Sequence, residues 1–236
     1  MSMGTVGVAP GTTTFTLQDG TVISLADWID DRLYGAIQLN NAQATPTECF
    51  SAALSQQIPN GTRMLTRSDT NLIRAGSNGL PQAYEMLIFS IGVDFVRAMR
   101  PPTGQSQPVL ADGAGAFSEG LRYDTFFQVN RVVAVDFRYR EKVYAEGVPV
   151  NFPEGRGIWI NATSSDFNVA QNGRPDPRSR NSMVLPIRIQ EGLAYKLVFS
   201  PSAPLQIAQD ASDGGADLTF IDAKGELNGL YKRPVV

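Results

Sequence analysis

The chain has 236 residues, 42% hydrophobic and 18% charged, with a formal net charge of −3. That length suits one large β domain or two small ones, either able to bury a real core, and the mild acidity provides no global basic field for nucleic acid or a membrane. Histidine is absent and Cys49 is the one cysteine, which removes the commonest general base and metal ligand, Ser-His and Cys-His pairs, internal disulfides and zinc clusters.

Residues 1–14 are small and polar, with Gly4, Gly7, Pro10, Gly11 and a threonine run, and read as an extended arm. They lack the basic start and apolar stretch of an export signal. A hairpin is expected next, 14–17 against 21–24 around Asp19-Gly20. The spacing then predicts a helix over 24–35. Ser24 would cap it, Asp27 would sit near the positive end of its dipole, Leu25, Trp28, Ile29 and Leu33 would share a face, and Gly35 would stop it. A second short helix is predicted over 46–54, with Thr45 as cap, Pro46 in the first position and Glu48 completing a capping box. Cys49, Phe50 and Ala53 would face inward.

From residue 62 the pattern changes to strands. A short one is predicted over 62–67 and a long one over 83–99, where Gly92 suggests a bend or bulge. The apolar run at 86–96 is broken by Ser90, Gly92 and Asp94, so no membrane span is expected. Residues 103–120 read as a loop. The strongest strand signal covers 123–140, where Val133, Val135, Phe137 and Tyr139 alternate with Ala134, Asp136, Arg138 and Arg140. Further strands are predicted over 142–146, 157–162, 182–189, 193–200, 205–208, 218–221 and 230–232. Turn signals such as Asn172-Gly173, Glu191-Gly192 and Lys224-Gly225 separate them. Eight to ten strands at this spacing indicate an antiparallel sandwich or barrel.

Few residues carry a chemical signal. Gly113-Ala114-Gly115-Ala116 resembles part of a phosphate loop but lacks the Gly-Lys-Thr that would complete it. Asp210, Asp213, Asp217 and Asp222 could offer oxygen ligands to Ca²⁺, yet they follow no EF-hand register and read better as solvated turn carboxylates. A glycosidase needs two carboxylates, and no pair stands out among the 23. Asn60-Gly61-Thr62 and Asn161-Ala162-Thr163 match the glycosylation pattern by chance spacing. Trp159 fits a buried core position better than a sugar platform. Arg174, Arg178 and Arg180 form the most concentrated basic stretch; they are the candidate contacts to a neighbouring subunit's carboxylates or to nucleic-acid phosphates, against the reading of an ordinary exposed loop. Sixteen arginines against four lysines point the same way, since Arg is favoured at protein interfaces, although a GC-rich genome gives the same bias. The composition therefore indicates a structural or binding protein, not an enzyme, with no catalytic, metal-binding or cofactor-binding residues.

In organisation the chain resembles the jelly-roll capsid proteins of non-tailed icosahedral bacteriophages. The resemblance rests on the Gly/Thr-rich arm, the short capped helices and a strand-rich body carried by segments 84–97, 126–140, 148–162 and 187–199. It implies a mainly β fold, an antiparallel jelly-roll-type β-sandwich with an N-terminal arm and one or two short N-terminal helices. The expected divisions are an arm at 1–14, a hairpin and short helices packed on the body at 15–61, and the sandwich body at 62–236. It also implies a virion protein that self-assembles as a homo-oligomer in the host cytoplasm. Its partners would be copies of itself and other virion proteins, with genome contact through the Arg-rich loop. The rival reading is a carbohydrate-binding or adhesion module, such as a phage tail or spike component, using aromatic side chains on a sheet face.

Overall fold

The elements of the computed structural model run β1 (Thr14–Thr16), β2 (Val22–Ser24), β3 (Trp28–Asn40), β4 (Thr47–Cys49), β5 (Glu85–Val96), β6 (Leu121–Arg122), α1 (Tyr123–Val132), β7 (Val133–Tyr139), β8 (Lys142–Gly147), β9 (Trp159–Ala162), β10 (Phe167–Ala170), β11 (Ser182–Ile189), β12 (Tyr195–Pro201) and β13 (Phe220–Lys232). The structure describes residues 14–16, 20, 22–24, 28–96, 121–153, 159–162, 167–170, 182–207 and 220–232. The predicted arm at 1–14 lies almost wholly outside them.

Eight strands form two antiparallel four-stranded sheets, in the orders β3-β13-β5-β11 and β4-β12-β7-β8. Taken in chain order, the eight pair as a nest: β3 with β13, β4 with β12, β5 with β11 and β7 with β8. Each connection among them passes from one sheet to the other except the β7–β8 hairpin. Both sheets feed one hydrophobic cluster. Leu33, Ile37, Leu39, Met86, Ile88 and Ile91 come from the first, Val133, Val135, Phe137, Tyr195, Leu197 and Phe199 from the second. The arrangement is sandwich-like, with one apolar face of each sheet turned to a shared core. Smaller sheets are formed by β1-β2 and β6-β10-β9. No helix among the described residues is long and apolar enough to cross a membrane.

The predicted N-terminal helices are not helices. Residues 28–40 form β3, paired over its whole length with β13. In place of the second helix, Thr47–Cys49 form β4 on the edge of β12, followed by a turn. The helical spacing of Leu25, Trp28, Ile29 and Leu33 competes with a period-two pattern, Leu33, Gly35, Ile37 and Leu39, and the latter wins because a long partner strand satisfies the backbone and covers that face. Ile29, expected inward, is exposed, while Leu33 is buried. The inward expectation for Cys49, Phe50 and Ala53 holds, although on a strand and turn: all three are buried.

Other boundaries also moved. Residues 123–140 divide into α1 and β7. Residues 62–67 contribute one isolated bridge, Met64 to Gln57, and no strand; 205–207 are irregular. The bulge in the long strand falls at Phe89, opposite the Asn228/Gly229 step, and not at Gly92. Lys224-Gly225, read as a turn between two short strands, lies inside the single strand β13. Strands over 142–146, 182–189 and 193–200 match β8, β11 and β12 to within two residues at either end. The hairpin expectation holds as the β1–β2 pair, with Phe15 opposite Ile23.

The sheets are held together where two glycines face each other. Gly35 and Gly225 are direct partners across β3 and β13. A methyl at Gly35 would sit 3.0 Å from the Phe50 ring, and one at Gly225 would sit 2.6 Å from Leu197 Cδ2 and 3.1 Å from Cys49 Sγ. The missing side chains leave a dent that receives Phe50, whose ring packs on Tyr195 with centroids 5.7 Å apart. Phe50 itself has φ +67°, a costly backbone for a bulky residue that only surrounding packing sustains. Replacing Phe50 by Ala is expected to cost about 3–5 kcal/mol, read as a lowered urea midpoint with unchanged slope. Gly225→Val is expected to be worse tolerated than an alanine at exposed Gly192, where a Cβ meets nothing within 4 Å and only the left-handed backbone, φ +69°, opposes it.

Candidate functional site

The richest collection of charged side chains among the described residues lies on the other face of the first sheet. Along β13 the core-facing Ile221, Ala223, Gly225 and Leu227 alternate with Asp222, Lys224, Glu226 and Asn228. The alternation is the ordinary two-residue period of a strand. What is unusual is that the outer set is also covered: Glu226 is 0% exposed, and Asp222, Asn228 and, on β5, Ser90 and Asp94 are buried too. Buried charge must be paired. The Glu226 carboxylate accepts a hydrogen bond from Arg32 at 3.0 Å and lies 3.3 Å from Lys224 Nζ. Both cations also lie over the Tyr34 ring, Lys224 at 4.1 Å and Arg32 at 5.5 Å from its centroid. The ring face and the carboxylate thus share two positive charges.

The second half of the cluster ties down the loop that joins β4 to β5. Arg63 of this loop donates to both oxygens of Asp69 at 2.7 and 2.9 Å and to Asp222 Oδ2 of β13 at 2.6 Å. Asp222 Oδ1 is buried with no hydrogen-bond partner. Burial therefore pushes the Asp222 carboxyl above its ordinary value of 3.8, an effect that Arg63 only partly offsets. Burial also acts to raise Asp69, but the hydrogen bonds from Arg63 and from the Thr66 amide and hydroxyl outweigh it and hold that carboxyl below 3.8. The two acids thus lie on opposite sides of the normal range although they share one guanidinium.

The same loop runs beside β3, the outer strand of the sheet. Asn71 accepts from the Tyr34 amide at 2.9 Å, donates its own amide to the Tyr34 carbonyl at 3.3 Å and donates its side-chain amide to the Arg32 carbonyl at 2.6 Å. Four residues along, the Gln38 amide donates to the Pro59 carbonyl at 3.0 Å and the Asn60 side-chain amide donates to the Gln38 carbonyl at 3.1 Å. Gln43 Oε1 receives the Asn40 amide at 2.9 Å. Beneath the loop, Ala36, Ile58 and Leu65 form a small separate core.

The residues singled out from sequence fare unevenly. Arg174, Arg178 and Arg180 lie outside the described residues, as do Asp210, Asp213, Asp217 and the 113–116 glycine segment. Asp222, grouped with those aspartates as a calcium candidate, is instead bound to Arg63, and no group of three or more His, Cys, Asp or Glu among the described residues is placed to hold a metal. Asn60 of the first glycosylation match spends its amide on Gln38 and Gln43. Cys49 is fully buried, its thiol pushed up to about 12 by desolvation, and its Sγ donates to the Gly35 carbonyl at 3.0 Å, so it is a packing residue and not a nucleophile. Sequence reading missed Arg32, Arg63 and Glu226 altogether. The signal for Glu226 was the thirteen-residue alternation of β13, hidden by Gly225 and Gly229.

Comparisons with known proteins find no matching family, no matching curated protein and no matching solved structure.

Arg63→Ala is expected to destabilise the fold by about 3 kcal/mol, because Asp222 then stays buried without its counter-charge. Adding Asp222→Asn should recover most of that loss, and the double-mutant cycle in urea gives the coupling. The pH dependence follows from the signs of the two shifts. With its folded pKa raised, Asp222 adds stability as pH falls from neutral towards the region just above 3.8; with its folded pKa lowered, Asp69 loses stability below 3.8. Asp222→Asn should abolish the first rise and keep the second fall, as read from melting temperatures across that range.

Proposed function

We propose that this chain is a virion structural protein, a jelly-roll capsid subunit that assembles with copies of itself into the icosahedral shell of a bacteriophage. The observation that carries the reading is the nested pairing of eight strands in two four-stranded sheets. A nest of this kind arises when one long antiparallel ribbon wraps around a core, and the resulting double-sheet roll is the architecture of viral capsid and lectin domains. Such a fold leaves its connections at the ends of the sheets, free to vary, and its interior devoted to packing. The long β4–β5 connection, with its own small core and ion pairs, is an elaboration of that kind.

A shell subunit needs surfaces that pair charge with charge across copies, and planar, multidentate arginine serves that purpose. Arg174, Arg178 and Arg180 are the proposed contacts, to a neighbouring copy's carboxylates or to packaged nucleic acid. The N-terminal residues 1–14 are the proposed arm reaching a neighbour.

Purified chain examined by sedimentation velocity and negative-stain electron microscopy should form uniform capsomers or closed particles. Replacing all three arginines by alanine should lower particle yield while leaving the subunit's melting temperature unchanged. A chain that stays monomeric at every concentration and binds an immobilised glycan would overturn the shell reading in favour of a carbohydrate-binding module of the same architecture.

A further inference from the structure

The two four-stranded sheets have four outer strands, and three of them are poor templates for a further strand. β4 is three residues long. β11 contains Pro186 and loses register between Ser182 and Ile187. β8 carries an extra residue, Tyr144, that its pairing with β7 skips. Short length, proline and bulges each blunt an edge. β3 has none of these. It is thirteen residues long, pairs with β13 without a register shift, and reads Leu33-Tyr34-Gly35-Ala36-Ile37-Gln38-Leu39 through its middle. Seven residues with no charge and no proline, rich in β formers, are the composition that pairs with other chains when its edge is open.

Among the described residues the middle of that edge is covered by the β4–β5 loop, and its Asn40 end by Gln43 of the β3–β4 turn. The N–H and C=O groups of alternate residues point away from β13, and those of Tyr34 and Gln38 are taken up by Asn71, Pro59 and Asn60, with the Arg32 carbonyl held by Asn71 as well. These are contacts from two separate points of a loop, with no ladder between them. We infer that the loop is a displaceable cover, an autoinhibitory contact that stops β3 from pairing with β3 of a second copy. The two arrangements use the same backbone groups and exclude each other. An antiparallel β3–β3 pair centred on Ala36 would set Tyr34 opposite Gln38 and Arg32 opposite Asn40 of the second copy, so no like charges face one another. The Arg63–Asp222 contact, which fastens the far side of the loop to β13, is the tie that keeps the cover down. The inference does not rest on the shell reading, since an open β3 edge would act in any version of this chain.

The test is the double variant Asn60→Ala/Asn71→Ala in the full chain, with the core variant Val135→Ala as a control for destabilisation alone. Sedimentation velocity below the melting temperature should show self-association of the double variant at least about tenfold stronger than wild type, an order set by the loss of several hydrogen bonds from the cover. Hydrogen exchange should show amides of 33–39 more protected in the associated species, and those of Asn60, Gly61 and Asn71 less. If the double variant does not fold, Asn71→Ala alone carries the same measurement. Three results would each overturn the inference: a double variant as monomeric as wild type, equal association by Val135→Ala, or association without added protection at 33–39.

Discussion

The architecture depends on the close approach of the sheets at Gly35 and Gly225. Two sheets packed face to face normally stand about 10 Å apart, a gap set by interleaved side chains. Here two directly opposed residues contribute none, and one aromatic ring from the start of the β4–β5 loop fills the space. Phe50 accepts a left-handed backbone to do so. The Cys49 thiol, in the same turn, is anchored to the Gly35 carbonyl, and the Phe50 carbonyl receives the Gly76 amide at 2.7 Å. Both the root of the loop and its return are therefore fixed against the core before any surface contact is made.

From that root the loop folds back over the outside of the sheet, and its course explains why charges there are buried. Burying Glu226 and Asp222 would be costly on an open sheet face with no counter-charge. Arg32, Arg63 and Lys224 provide it, and Tyr34 spreads the field of two of them. The same segment completes the hydrogen bonds of β3 with asparagine side chains, which can place a donor and an acceptor where a strand would otherwise have to run. One loop thus brings Arg63 to a charged face and covers the middle of a sheet edge. For a chain whose proposed task is ordered assembly, closing the most regular edge leaves assembly to chosen contacts instead of indiscriminate strand addition.

Part of this was readable in the sequence by itself. The alternation of Val133, Val135, Phe137 and Tyr139 fixed a half-buried strand, the absence of histidine and the single cysteine removed whole classes of chemistry, and Cys49, Phe50 and Ala53 were recognisable as core residues. These are local or compositional properties and need no partner to be true. Only tertiary structure could decide the rest. Residues 28–40 carry helical and extended periodicities at once, and the choice between them is made by β13, about 190 residues away in the chain. The glycines that looked like a stop at Gly35 and a turn at Gly225 are the places where two sheets meet, because a missing side chain means a turn in one setting and a close approach in another. The Arg63–Asp222 and Arg32–Glu226 pairs likewise join residues far apart in sequence, and no spacing rule links partners that only the folded sheets bring within 3 Å of each other.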